Sequence, residues 1–163
     1  MATPDLAERH RLVDVRLDET VKVRRRPEVE HERRVAIFDL LEGNHFVLLA
    51  GPPGPYVLHL SMSGLTRLVI TVHDEAEQLL ARLILPLKSF SRLVRDYFQV
   101  CESYYTAIRT LPPSRIEALD MGRRGLHSEG AELLRDLLKE RVEMDLNTAR
   151  RLFTLICVLH VRG

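Results

Sequence analysis

The sequence predicts an α+β domain: an antiparallel sheet of about five strands with a C-terminal helical layer packed on one face. Three observations carry this. Between His45 and Leu85 apolar and polar residues alternate, which is the period of strands buried on one side. After Pro86 the period lengthens to three and four residues and holds to the end, which is helical spacing. Strands first and helices later argue for α+β rather than repeated βαβ units.

Taken in order, residues 1–10 read as a flexible polar tail and 11–163 as one domain. Arg11 to Asp18 sets Val13, Val15 and Leu17 against Leu12, Asp14 and Arg16, a half-buried strand. Lys22 to Arg26 is a basic connector. Pro27 stands at a favoured first helical position, and Glu28, Glu30 and Glu32 suit the positive end of the helix dipole. That helix should run to Glu42 and stop at Gly43, with Val29, Ala36, Ile37, Leu40 and Leu41 as its apolar stripe.

His45 to Ala50 predicts a short strand, followed by the rigid loop Gly51-Pro52-Pro53-Gly54-Pro55. Tyr56, Leu58, Leu60 and Met62 share one strand face, and Leu68, Ile70 and Val72 share the next. Pairing Leu60 with Leu68 keeps both on one side and requires an odd-length loop around Ser63-Gly64-Leu65. Pairing Val72 with Leu79 continues the dry face through Ala81, Leu83 and Leu85. His59, Arg67, Thr71, His73 and Arg82 take the wet face, with the two histidines well apart along it.

Ser89 to Thr110 has Phe90, Val94, Tyr97, Cys101, Tyr104 and Ile108 at helical steps. Pro112-Pro113 breaks it. Ser114 and Glu117 form an S-x-x-E capping box that opens a helix of roughly 26 residues. The last helix starts near Asp145 or Asn147. It is apolar on almost every side from Leu152 to Val161, as a helix in the middle of a core should be.

Composition narrows the function classes. The 163 residues carry Lys+Arg 24 against Asp+Glu 23, a net charge of +1, so no global field draws nucleic acid or anionic membrane. Lys22, Lys88 and Lys139 are the lysines among those basic residues, and the rest are arginine. Two cysteines, Cys101 and Cys157, are too few for a disulfide framework and fit buried thiols in a cytoplasmic protein. The N-terminus has no apolar core of a secretory signal, and no apolar run reaches membrane-spanning length. No phosphate loop, nucleophile elbow or dinucleotide fingerprint is present. Glu30-His31-Glu32 diverges on a helix and lacks the HExxH spacing, so neither metal nor cofactor is expected.

The unusual feature lies in DMGRRGLHSEG. On the Ser114 helix, Ile116, Leu119, Leu126, Leu133, Leu134 and Leu137 define an apolar face. Arg123 and Gly130 project near its centre, and Asp120 and His127 onto its flank. A guanidinium on an apolar face needs a counter-charge or a ligand. Glycines inside a helix each cost about 1 kcal/mol and need a reason, such as close approach of another chain segment or a ligand. One reading is a structural ion pair, with Asp96 or Glu102 as partner. Another is a ligand site of Arg123, Arg124, His127 and Asp120, the arginines binding phosphate or carboxylate. A third makes His127 an acid/base in an enzyme acting on such an anion. Tyr97, Tyr104 and Tyr105 serve core packing or a partner surface.

The blocks EHERRVAIFDLLEGNHF, GPYVLHLS, RLVRDYFQVCESYYTAIRT, PSRIEALDMGRRGLHSEG and TARRLFTLICVLHVRG resemble an uncharacterised family of small alphaproteobacterial proteins. The likeness spans residues 11–163. It departs at Ser128, where the family usually has Asn, and at Val161, where a bulkier aromatic is common. Losing Asn weakens the case for a polar contact at position 128. The resemblance implies a small cytoplasmic bacterial protein and carries no activity, cofactor or catalytic residue.

The expectation is therefore a cytosolic, non-catalytic binding or regulatory module with an anion-binding pocket. The alternative is a small enzyme using Arg123, Arg124 and His127 on a phosphorylated or carboxylated metabolite. Expected partners are a small anionic ligand, a protein or a second copy of the chain, with no membrane and no nucleic acid.

Overall fold

In the computed structural model, residues 6–18, 27–64 and 66–160 are described. The elements run α1 (Leu6–Arg9), β1 (Leu12–Leu17), α2 (Pro27–Glu42), β2 (Phe46–Leu48), β3 (Tyr56–Ser63), β4 (Arg67–His73) and β5 (Leu79–Pro86). A 3-10 turn, Leu87–Phe90, then leads into α3 (Ser91–Thr110), α4 (Pro113–Leu138), β6 (Val142–Met144) and α5 (Leu146–His160). The class is α+β, with the C-terminal helices packed over the sheet. Of the expected tail, Leu6–Arg9 is one helical turn; residues 1–5, the basic connector 22–26, Leu65 and Val161 lie outside the described residues.

Two strand relations differ from the expected antiparallel meander. Among the described residues the main sheet has four strands in the order β1-β3-β4-β5. β1 joins β3 in parallel, whereas β3-β4 and β4-β5 are antiparallel. The chain reverses through α2 and β2 before β3, so β1 and β3 can point the same way. The fifth expected strand, β2, leaves the sheet and pairs with β6 as a separate two-stranded ribbon.

The expected pairings each move by two residues. Leu60 faces Ile70 rather than Leu68, and Val72 faces Ala81 rather than Leu79. A two-residue slip preserves parity, so Leu58, Leu60, Leu68, Ile70, Val72, Leu83 and Leu85 all stay in the core. The same slip brings His59 and His73 onto a diagonal, with ring centroids 4.3 Å apart, not well separated. A bulge at Val72/His73 ends the alternation early. Leu79 thereby leaves the dry face and is 59% exposed.

The helices follow local signals more closely. α2 runs from Pro27 to Glu42 as expected. Asn44 fixes its end: Nδ2 donates to Leu40 O and Leu12 O, and Oδ1 accepts from Leu12 N. That side chain ties α2 to β1. α4 has the expected 26 residues, but Pro113 is its first residue and no side chain caps it. The Ser114 capping box is not formed, because the helix begins one residue before that serine. Asp145 does cap α5, its Oδ1 accepting from Thr148 N at 2.9 Å. Residues Leu152 to Val158 of α5 are all buried, against α2, α4 and β3. Ile108 and Leu137, expected on apolar stripes, are 50% and 37% exposed.

Gly130 explains how α4 reaches α5. A Cβ there would meet the Phe153 ring at 2.5 Å, inside any tolerable carbon contact. Gly125 has nothing within 4 Å of that position. Gly130→Ala is therefore expected to destabilise the protein by about 1–3 kcal/mol through overpacking. Gly125→Ala should stabilise it by about 0.5–1 kcal/mol through helix propensity. Chemical denaturation of the two variants beside the parent checks both signs.

Candidate functional site

Arg123 does point inward from α4, and its partner comes from an unexpected helix. Nη1 lies 3.3 Å from Glu32 Oε1 on α2, and Nη2 lies 2.8 Å from Asp120 Oδ1. The expected partner Asp96 instead faces Arg92 and Arg95 at 3.4 and 3.6 Å. The guanidinium also sits 4.8 Å from the centroid of the Tyr104 ring, close enough for a cation–π contact.

Glu32 is the residue that sequence reading missed. It is only 8% exposed, and a buried carboxylate must be paired and hydrogen-bonded. Oε1 accepts from Tyr105 Oη at 2.8 Å and from Arg123, while Oε2 accepts from Tyr97 Oη at 3.0 Å. All three tyrosines of α3 therefore converge on this ion pair. The signal was present: Glu32 falls in the Val29, Ala36, Leu40 stripe, a charge at a core position of α2.

His127 extends the network to α5. Its Nε2 lies 3.0 Å from Tyr97 Oη and 3.0 Å from Thr154 Oγ1. The one proton of the Tyr97 hydroxyl goes to the carboxylate, which only accepts. With that proton directed at Glu32 and the Thr154 hydroxyl donating to Arg150 O at 3.2 Å, an Nε2–H of His127 is the donor both oxygens can share. Burial pushes the His127 pKa down to about 4, with the Arg123 and Arg150 charges acting the same way and Glu32 opposing them. Burial likewise holds the Tyr97 phenol far above its usual range. The chain Glu32–Tyr97–His127–Thr154 thus joins α2, α3, α4 and α5 with a neutral imidazole inside it.

Of the expected site residues, Arg123, Asp120 and His127 are brought together. Arg124 is 74% exposed on its side chain and reaches the second oxygen of Asp120, Oδ2, at 3.0 Å. Ser128 does make a polar contact, accepting from Arg150 Nη2.

A cavity of about 670 Å³ opens on the far side of Glu32, between α2 and α3. Val29, Val94, Phe98 and Cys101 give it apolar walls, and Glu32 and Tyr105 reach it from the network. Glu28, Arg95, Glu102, Arg109 and His160 also line it. Arg123, Arg124, Asp120 and His127 do not. Burial pushes the Cys101 thiol up to about 11, so it stays protonated and inert toward metals or electrophiles. Among the described residues no group of three or more His, Cys, Asp or Glu is placed to hold a metal ion. No described helix is long and apolar enough to cross a membrane.

Two outcomes are expected from this geometry. Arg123→Met leaves Glu32 buried without its cation and should cost about 2–4 kcal/mol. Arg124→Ala, at an exposed pair, should stay within about 0.5 kcal/mol; thermal unfolding separates the two. His127 is neutral when folded, so only the unfolded chain takes up its proton between about pH 6.5 and 4. Stability should therefore fall as pH drops through that window, by on the order of 3 kcal/mol from this one group. His127→Gln should remove that slope, and urea titrations at several pH values read it directly.

The sequence profile of a family described as an uncharacterised protein family, UPF0262, matches residues 9–162. A UPF0262 protein of Rhodospirillum rubrum is 53% identical over 163 residues, covering 100% of both chains. One from Paramagnetospirillum magneticum is 54% identical, over 95% of this chain and 98% of its own. One from Brucella anthropi is 56% identical, over 94% and 95%. No solved structure matches significantly.

Proposed function

The chain belongs to UPF0262, and for it we propose a non-catalytic binding role centred on the cavity between α2 and α3. The ligand class is a small amphipathic molecule. Its apolar body packs on Val29, Val94, Phe98 and Cys101, and a hydrogen-bond-donating head group, such as an ammonium, meets Glu32. The observation that carries this reading is the pairing of a drug-sized cavity with a buried carboxylate in its lining.

Glu32 has capacity for such a contact. Among the described residues Oε1 accepts two hydrogen bonds, whereas Oε2 accepts that of Tyr97 alone, and each carboxylate oxygen offers about two lone-pair directions. The anion-binding expectation fits less well at Arg123, since an incoming phosphate or carboxylate there must displace Glu32 or Asp120. The non-catalytic reading is supported by His127, whose Nε2 is spent on Tyr97 and Thr154 and whose side chain does not line the cavity.

The test compares decylamine with decanoate, which share an apolar chain and differ in head group. Decylamine is expected to raise the melting temperature of the wild-type protein and decanoate to leave it unchanged. Thr106 stands exposed at the cavity, so Thr106→Trp should narrow the opening without disturbing the core and reduce the decylamine shift at least about tenfold in apparent affinity. Stabilisation by decanoate alone would move the head-group contact to Arg95 and Arg109. A decylamine shift untouched by Thr106→Trp would remove the cavity from the reading.

A further inference from the structure

α2 is apolar on two opposite sides. Its inner side, Val29, Ala36 and Leu40, is buried. Its outer side carries Val35, Phe38 and Leu41, which are 41%, 64% and 37% exposed. At about 100° per residue, Arg34 and Glu42 lie within the same wedge, about 40° to either side of Phe38. Both are exposed, and neither is paired with another described residue. The outer face is therefore an aromatic side chain flanked by two aliphatic ones, with a free cation one turn before it and a free anion one turn after it.

We propose that this face binds a second copy of the chain, forming a dimer in which two α2 helices pack antiparallel about a two-fold axis at Phe38. The face is self-complementary under that operation and under no parallel alignment. A two-fold axis at residue 38 sets each residue at the level of the one equally far on the other side of it. Arg34 then lies at the level of the partner's Glu42, and Val35 at the level of the partner's Leu41. Phe38 meets the partner's Phe38. Such a patch is isologous, the commonest form of closed soluble oligomer. An aromatic centre ringed by aliphatic and charged groups matches the anatomy of a protein–protein contact. A parallel pairing would instead stack Arg34 on Arg34 and Glu42 on Glu42. The ligand cavity lies on the inner, α3 side of α2, so the dimer does not depend on the binding role above.

Sedimentation equilibrium of the full chain, up to about 100 μM where a micromolar complex is mostly formed, should give twice the 18.8 kDa monomer mass. Phe38→Asp, at a solvent-exposed position, should leave the thermal melt of the monomer intact and weaken association at least about 100-fold. Arg34→Glu should weaken it about tenfold by facing like charges, and the double variant Arg34→Glu/Glu42→Arg should restore it. Phe38→Cys should form an intermolecular disulfide under mild oxidation, since Cys101 and Cys157 are buried and do not compete. A wild-type protein that stays monomeric across the series overturns the proposal. So does a dimer indifferent to Phe38→Asp, or one that the charge swap fails to restore or Phe38→Cys fails to cross-link.

Discussion

The structure depends on one buried carboxylate. Taking Glu32 out of water carries a penalty of several kcal/mol unless its charge is balanced and its lone pairs are filled. The balancing groups come from different helices: Arg123 from α4, Tyr97 and Tyr105 from α3. Each can reach Glu32 only when its helix holds one rotation and one axial position. Apolar contacts tolerate sliding, because one aliphatic neighbour is much like another. A carboxylate needing two hydroxyls and a guanidinium is far less permissive. The ion pair is thus best understood as fixing how the helices sit relative to one another, while Phe90, Leu134, the α5 residues and the inner face of the sheet supply apolar burial.

The network also sets the character of the cavity beside it. Glu32 and Tyr105 belong to both. The wall formed by Val94, Phe98 and Cys101 on α3 continues directly into the hydroxyl of Tyr105 one to two turns further on. Apolar carbon and an anchored carboxylate thus share one lining. Because Arg123, Tyr97 and Tyr105 hold Glu32, its carboxylate oxygens have fixed positions at the cavity wall.

What was legible in the sequence was what is locally encoded. Pro27 and Gly43 bound α2, Asp145 opens α5, and the all-round apolarity of Leu152 to Val158 announces its burial, because each signal acts within a turn or two of chain. The inward direction of Arg123 was legible for the same reason, being a matter of helical phase. Its partner was not, since nothing in the sequence states that α2 rather than α3 supplies the anion. Strand direction was equally hidden. Alternation in β1 is the same whether it pairs with β3 parallel or antiparallel, and only the path through α2 and β2 decides. Leu79 was misplaced because a bulge breaks parity without changing composition. Glu32 was visible but read as support for the helix dipole, a role that its two acidic neighbours at positions 28 and 30 serve as well. Its phase with Val29, Ala36 and Leu40 was the distinguishing mark.

α2 shows why these levels cannot be separated. A helix apolar on one side is fully explained by the core it covers. Here Val29, Ala36 and Leu40 face inward while Val35, Phe38 and Leu41 face out, so the apolar pattern alone leaves its rotation about its own axis weakly determined. Turning it by half a revolution would exchange one aliphatic face for another. The position of Glu32 removes that ambiguity: only one rotation carries its carboxylate to Arg123, Tyr97 and Tyr105, and the opposite rotation would strand Arg123 without its α2 counter-charge. Asn44 secures the other end by binding Leu40 O and both backbone groups of Leu12. The polar contacts therefore choose which apolar stripe is buried and which is presented, and Phe38 stands in water because Glu32 does not.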